Sequence, residues 1–206
     1  VNPAARLMVF PQIGGFVAGD TVAGMLASRL DQWDSPVVLV DIGTNGEIVL
    51  VHDDTVLATS TAAGPAFEGA RVKQGMRAAD GAIEKVLIRD DVILNVIGNA
   101  TPVGLCGTAV IDAAAELLRL GIVDETGRIL ARDEAPSDLP DAILDRLITE
   151  DNETRFALVR SVESSASRAI CLWQRDVREL QLATGAIRAG INLLLRRAGL
   201  EPEALG

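Results

Sequence analysis

Tyrosine is absent from this chain, histidine occurs once, cysteine twice, and aromatic residues make up only 3% of the whole. Each scarcity removes a class of chemistry. The single histidine, His52, sits beside Asp53 and Asp54 in a turn-like stretch. It would have to find a nucleophile and an orienting acid there to build a His-based triad, and plain turn chemistry is the simpler reading. Cys106 and Cys171 are too few for a disulfide framework, a four-thiolate metal site or an iron–sulfur cluster within one chain, and they fit a reducing, cytoplasmic setting. No apolar run approaches the roughly 18 residues of a membrane span, because each is broken by Asp, Arg or Gly, so no membrane partner is expected. Basic residues are also short: 19 Lys and Arg against 29 Asp and Glu leave a net charge of −10. That balance argues against non-specific nucleic-acid binding, which needs clustered cations on phosphates.

What is present is a core. The 206 residues are 49% hydrophobic and 23% charged, the size and composition of one large soluble domain. The chain opens Val1-Asn2-Pro3 with neither a methionine nor a charged-then-apolar leader, and is read as a piece of a longer protein.

The hydrophobic period changes along the chain. Val22, Met25, Leu26 and Leu30 recur at helical spacing behind an Asp20-Thr21 cap, predicting a helix over about 20–31. Val37–Val40, Glu47–Val51 and Thr55–Ser60 are β-leaning runs. Asn45-Gly46 and Asp53-Asp54 are short connections of hairpin type, so residues 37–60 read as a three-stranded antiparallel meander. The glycine-rich passage 62–81 reads as loop plus a short helix. A hairpin follows over about 83–88 and 92–97, turning at Asp90-Asp91. Helical spacing from Cys106 to Leu120 stops at Gly121. Residues 124–153 read as a solvated connection with one short helix near 139–148, followed by β-leaning runs at 156–159 and 169–173. Asp176 and Glu179 have capping-box spacing and open a long helix over about 176–198, ended by Gly199 with Pro202 beyond it. The fold class is α/β, with a meander and flanking helices.

The stretch Asp41-Ile42-Gly43-Thr44-Asn45-Gly46-Glu47 lies where one buried strand ends and the next begins. Glycines at 43 and 46 let backbone N–H groups approach an anion, Thr44 and Asn45 add polar groups, and the Asp41 carboxylate can hold Mg²⁺ or its water. Taken alone, the turn is read first as a hairpin, because Asn-Gly is a common hairpin signal. The passage Ser60 to Gly69 shifts the balance: its small residues, Gly64 among them, leave room for a ligand. Within it Glu68 is a candidate to orient water or touch Mg²⁺, against the plainer reading of an exposed loop acid. Cys106, at a helix start, would have a lowered thiol pKa if exposed, but reads first as a small buried packing residue.

The run Asp41 to Glu47 resembles a phosphate motif of the actin-like (ASKHA) superfamily of sugar kinases, acetate kinases, heat-shock chaperones and actin. A closer resemblance joins several segments in order. They are Pro11-Gln12-Ile13-Gly14-Gly15-Phe16-Val17, the Asp41 turn, Ala63-Gly64-Pro65-Ala66-Phe67-Glu68-Gly69, Gly75-Met76-Arg77-Ala78, Gly104-Leu105-Cys106-Gly107 with Ile111-Asp112, and Arg178 to Ala183 with Ala186 to Gly190. Together these are similar to the C-terminal ATPase domain of ferredoxin-linked reductive activators of corrinoid proteins, and they cover nearly the whole chain.

The resemblance implies an actin-like, ribonuclease H-like lobe, part of a larger two-lobed domain that binds ATP with Mg²⁺. Asp41, Gly43, Thr44, Asn45, Gly46 and Gly64 would lie at the nucleotide, with Asp41 and Glu68 in the catalytic roles. It implies a parent enzyme that couples ATP to electron transfer from a 2Fe–2S domain, absent here, onto a cob(II)alamin-bearing corrinoid protein, restoring cob(I)alamin. The first phosphate turn would precede residue 1 and a Gly-Gly adenosine motif would follow Gly206, so the isolated 206 residues are expected to be inactive. One departure is Thr184, where the family often has Lys, which removes a cation expected near the nucleotide. The rival expectation is a non-catalytic module that docks a corrinoid protein or its own dimer partner. A radical-dehydratase activator is a weaker alternative, since it would need cluster-binding cysteines.

Overall fold

The computed structural model describes residues 2–6, 8–163 and 168–205. The chain gathers into two compact units, residues 1–63 with 184–206, and residues 64–183.

The first unit is built on the meander. Strands β1 (Val37–Ile42), β2 (Gly46–His52) and β3 (Thr55–Thr61) lie in sequence order and pair antiparallel. Alternation along β2 sends Ile48 and Leu50 to one face. There they meet Leu194 and Leu195 from the last turns of helix α4 (Gln174–Ala198), with Ile187 and Ile191 completing the contact. Full burial of such aliphatic side chains is worth about 1.5–3 kcal/mol each. Gly190 makes the close approach possible: a Cβ there would stand 2.5 Å from Ile48 Cδ1 and 2.6 Å from Thr61 Cγ2. On the opposite face, helix α1 (Gly19–Ala27) reaches Leu39, to which a Cβ on Gly24 would come within 3.7 Å. The meander is thus a sheet between two helices.

Two expectations shift in this unit. The first helix ends at Ala27, not near 31, because Arg29 takes a left-handed conformation before a separate 3₁₀ turn at Leu30–Gln32. Asp20 is not its cap either. The helix starts at Gly19 after Ala18, and the Asp20 carboxylate accepts the N–H of the adjacent Thr21 at 2.8 Å.

The second unit holds two three-stranded sheets. In one, β4 (Ala82–Ile88) pairs antiparallel with β5 (Val92–Val96), as the hairpin signal predicts, and parallel with the short β6 (Gly104–Leu105). In the other, β7 (Leu147–Glu150), β8 (Glu153–Val159) and β9 (Ile170–Trp173) run antiparallel. Helix α2 (Gly107–Arg119) buries Val110, Ala113 and Leu117, and with Ile83, Leu105, Phe156 and Leu158 they form one continuous core.

The partner strand β6 stops opposite Ile83, which leaves the rest of that edge of β4 without a ladder. Helix α2 takes over. Thr108 donates its hydroxyl to the Glu84 carbonyl at 2.7 Å, Asp112 accepts the Val86 N–H at 3.1 Å, and Glu116 accepts the Ile88 N–H at 2.9 Å. The four-residue spacing of these side chains puts them on one stripe of the helix, matched to alternate residues of the strand.

Three further expectations are corrected. The short helix expected near 139–148 is only α3 (Asp141–Leu144); the chain then turns into β7, whose Leu147 lies opposite Phe156. Helix α4 begins at Gln174 rather than 176. Asp176 is therefore inside the first turn, and its carboxylate reaches back to accept the Trp173 N–H at 3.0 Å and the Lys73 N–H at 2.9 Å. It plays the part expected of Glu179, while Glu179 pairs with Arg71 at 3.9 Å. At the other end the expectation holds: Gly199 is left-handed and Leu200 N–H closes on the Leu195 carbonyl at 2.9 Å.

Candidate functional site

The turn Asp41–Glu47 is assembled by the meander's register. Ile42 pairs with Gly46, so Gly43, Thr44 and Asn45 form a three-residue loop, not the two-residue Asn-Gly turn expected from sequence. The physical reason is visible in the backbone: neither Asn45 nor Gly46 has the positive φ that a type I′ turn requires. The loop is closed instead by the Gly43 N–H donating to the Asn45 carbonyl at 2.9 Å.

The two glycines have different reasons to be there. Gly46 is buried, and a Cβ on it would lie 2.9 Å from Thr61 Oγ1 and 3.2 Å from Ile187 Cγ1, so the sheet and α4 demand a glycine. Gly43 meets no such demand. Its φ is not left-handed, and a Cβ would find only the Asn45 carbonyl oxygen at an ordinary 3.5 Å. Gly43, half-buried at the start of the loop, is therefore required neither by packing nor by a left-handed backbone.

Asp41 stands directly opposite Glu47, and Glu47 opposite Ser60, forming one row across the three strands. Asp41 is exposed, as are Thr44 and Asn45. The Ser60 hydroxyl donates to Glu47 at 3.0 Å, which fixes that carboxylate. Like charges opposite one another in a ladder repel, and a cation between them would offset that cost. Among the described residues no group of three or more His, Cys, Asp or Glu could hold a metal by itself. The pair of carboxylates beside this loop would suit Mg²⁺ shared with phosphate oxygens, since Mg²⁺ commonly takes one or two carboxylates and completes its shell with water and phosphate.

Gly64 and Glu68 belong to the second unit. Gly64 has φ 81° and ψ 167°, a region open essentially to glycine alone, so the backbone conformation suffices to explain it. Glu68 ends the 3₁₀ turn Pro65–Glu68 and lines a pocket of about 420 Å³ with Arg77, Glu84, Cys106 and Thr108. The pocket owes its shape to glycine contacts. The Phe67 carbonyl occupies the space a side chain on Gly107 would need, and Gly69, left-handed at φ 75°, lies against Met76. Arg77 and Glu84 carried no motif that linked them to Glu68 in the sequence; the fold alone brings them together.

Cys106 lies directly before α2 and is buried, its Sγ 3.1 Å from Thr108 Oγ1, as the packing reading expected. His52 has Ser35 Oγ 3.4 Å from Nδ1 and Asp53 3.5 Å from Nε2. That hydroxyl oxygen already accepts the Asp53 N–H at 2.9 Å, so the three residues tie a turn together. Thr184 is exposed on α4.

The first unit is thus a sheet of three antiparallel strands whose apolar face is completed by a helix from far along the chain. Residues 35–206 match the family described as the C-terminal domain of RACo, the ASKHA domain, and the chain belongs to that family. The chain is 36% identical over 207 residues to the corrinoid activation enzyme RamQ of Eubacterium limosum, covering 100% of this chain and 34% of that one. It is 27% identical over 223 residues to a [Co(II) methylated amine-specific corrinoid protein] reductase of Methanosarcina barkeri, covering 97% and 36%. Among solved structures it resembles a reductive activator for corrinoid, iron–sulfur protein, with a TM-score of 0.77 and 34% identity over 95% of this chain and 30% of that one. The chain thus spans about a third of the length of these relatives. No described helix is long and apolar enough to cross a membrane.

Proposed function

We propose that this chain is the part of an ATP-dependent reductive activator that carries one nucleotide-phosphate turn, and that the whole protein restores cob(I)alamin on a corrinoid protein. The relatives' names, all of them activators or reductases of corrinoid proteins, support the partner. The single observation that carries the nucleotide part is Gly43: a glycine that the fold leaves unexplained, at the start of a loop flanked by the Asp41 and Glu47 carboxylates.

In this reading the phosphate lies against the loop of Gly43, Thr44, Asn45 and Gly46: the exposed Thr44 and Asn45 offer donors, Gly43, whose own N–H closes the loop, and Gly46 keep the backbone free of side chains there, and Asp41 holds Mg²⁺ or one of its waters. Glu68, with Gly64 near it in sequence, would supply the carboxylate that orients a water for hydrolysis. Bound ATP supplies the free energy that an uphill electron transfer to cob(II)alamin requires, and a 2Fe–2S centre elsewhere in the protein supplies the electron. Nucleotide acts by favouring one conformational state over another through differential contacts, which changes how the activator engages its partner. The reading includes a larger two-lobed domain of which these residues form one part, a cytoplasmic setting, and an activator able to form homodimers.

Asp41→Ala in the full-length protein tests it. Mg-ATP affinity, by calorimetry, and nucleotide-dependent reduction of the corrinoid partner should both collapse. Unchanged activation would sink the assignment; activation that never depended on ATP would favour the docking module.

A further inference from the structure

The second unit carries a pocket of about 540 Å³ that the proposed nucleotide chemistry does not use. Its size lies in the usual range for small-molecule sites, about 300–1,000 Å³. Met76, Val103 and Ile170 give it apolar walls. Among the described residues, the charged side chains lining it are Lys73 and Arg168, and no carboxylate lines it. In a chain of net charge −10, a concavity whose charged lining among the described residues is cationic favours an approaching anion locally.

The Lys73 side of this edge is also preorganised. Gln74 spends its side chain entirely on the protein, donating to the Ala169 carbonyl at 2.9 Å and accepting the Cys171 N–H at 2.9 Å and the Trp173 indole N–H at 3.3 Å. The backbone is pinned on both sides of it: Lys73 N–H donates to Asp176 at 2.9 Å, and the Gln74 carbonyl accepts the Leu105 N–H at 2.9 Å. The Lys73 ammonium stands over the Trp173 ring, 3.1 Å from its centroid, which holds the long side chain in one place. Asp176, which accepts the Lys73 N–H, is itself fully buried.

We propose that this pocket binds a small organic oxyanion, a carboxylate or phosphate head on an apolar stem, with the head between Lys73 and Arg168 and the stem against Met76, Val103 and Ile170. The site is built wholly from residues of the second unit and does not depend on the assignment of the Asp41 turn.

The test is calorimetric titration of the protein with hexanoate, hexyl phosphate and hexan-1-ol. Saturable binding of at least one anion and none of the alcohol is expected, and the tighter anion identifies the head group. Lys73→Met and Arg168→Gln should each weaken binding about tenfold, the loss of one charge-assisted contact. Val103→Glu, which places a carboxylate on the wall through a residue that is 68% exposed, should abolish it without disturbing the core. No saturable heat up to roughly 10 mM anion, wild-type affinity in all three variants, or displacement of the bound anion by Mg-ATP would each overturn the proposal.

Discussion

Gly107, the first residue of α2, lies against the carbonyl of Phe67, whose oxygen fills the place a β-carbon would take. This backbone-to-backbone contact sets the position of the turn that carries Glu68. Alanine at the start of a helix ordinarily stabilises by about 0.4–1 kcal/mol relative to glycine. Here Gly107→Ala should do the reverse, costing about 1–3 kcal/mol through overpacking, read as a lower midpoint in urea at unchanged slope. A stabilised variant would contradict the contact.

The turn glycines should separate fold from ligand. Gly46→Ala is expected to cost about 1–3 kcal/mol, because Thr61 and Ile187 must move. Gly43→Ala should change stability by no more than about 0.5 kcal/mol, while weakening Mg-ATP binding in the full-length protein. Equal effects of the two substitutions on unfolding would show that position 43 is structural after all.

Arg146 is 3% exposed and holds the second unit together from inside. It donates to Asp91 at 2.7 Å and to the carbonyls of Ala157 and Leu158 at 3.1 Å each, and lies 3.3 Å from Glu163. Arg146→Ala leaves the Ala157 and Leu158 carbonyls without their donor and takes the partner from the partly exposed Asp91 and Glu163, and should cost about 1–3 kcal/mol. The guanidinium also holds the Asp91 carboxyl below its ordinary 3.8, against the opposing push of burial. A depressed carboxylate stabilises the fold above its unfolded pKa, and that contribution is lost as pH falls through the folded value. The stability gap between wild type and Asp91→Asn should therefore be widest near neutrality and close as the solution becomes more acid than 3.8. A gap that widens in acid would refute this account.

Cys171 is buried, and desolvation raises its thiol pKa above the usual value even though Arg155 pulls the other way. Thiolate, not thiol, is the nucleophile. Iodoacetamide at pH 8 should leave Cys171 unmodified in the folded protein and label it fully in denaturant, as mass spectrometry would show. Rapid labelling in the native state would place that strand edge in solvent.

Much of the scaffold was legible in the chain because it obeys period and punctuation. The meander, the 83–97 hairpin, and the ends of α2 and α4 at Gly121 and Gly199 follow from alternation, helical spacing and left-handed glycines. What was hidden depends on residues far apart in sequence. Thr108, Asp112 and Glu116 look like the solvated face of an amphipathic helix, yet they substitute for a missing strand beside β4. Asp176 looks like a cap, but its second partner, Lys73, is about a hundred residues upstream. The strand β7 is masked by its polar surroundings, since only Leu147 among its residues is buried. That the chain turns between Asp41 and Glu47 was legible from its residue types, whereas the different packing of Gly43 and Gly46 needed the positions of Thr61 and Ile187.

The core of the meander is completed by residues synthesised well over a hundred positions later. Ile48 and Leu50 are covered by Leu194 and Leu195, while the unit formed by residues 64–183 is continuous in the chain. During translation the continuous unit has all its contacts available first, and the three finished strands must wait with an apolar face uncovered until the final helix emerges. Loop closure over such a span is slow compared with local folding. The nascent chain therefore passes through an interval in which the Asp41–Glu47 turn exists without a finished sheet beneath it, and a ribosome stalled before residue 187 would leave a product prone to aggregation rather than a smaller working part.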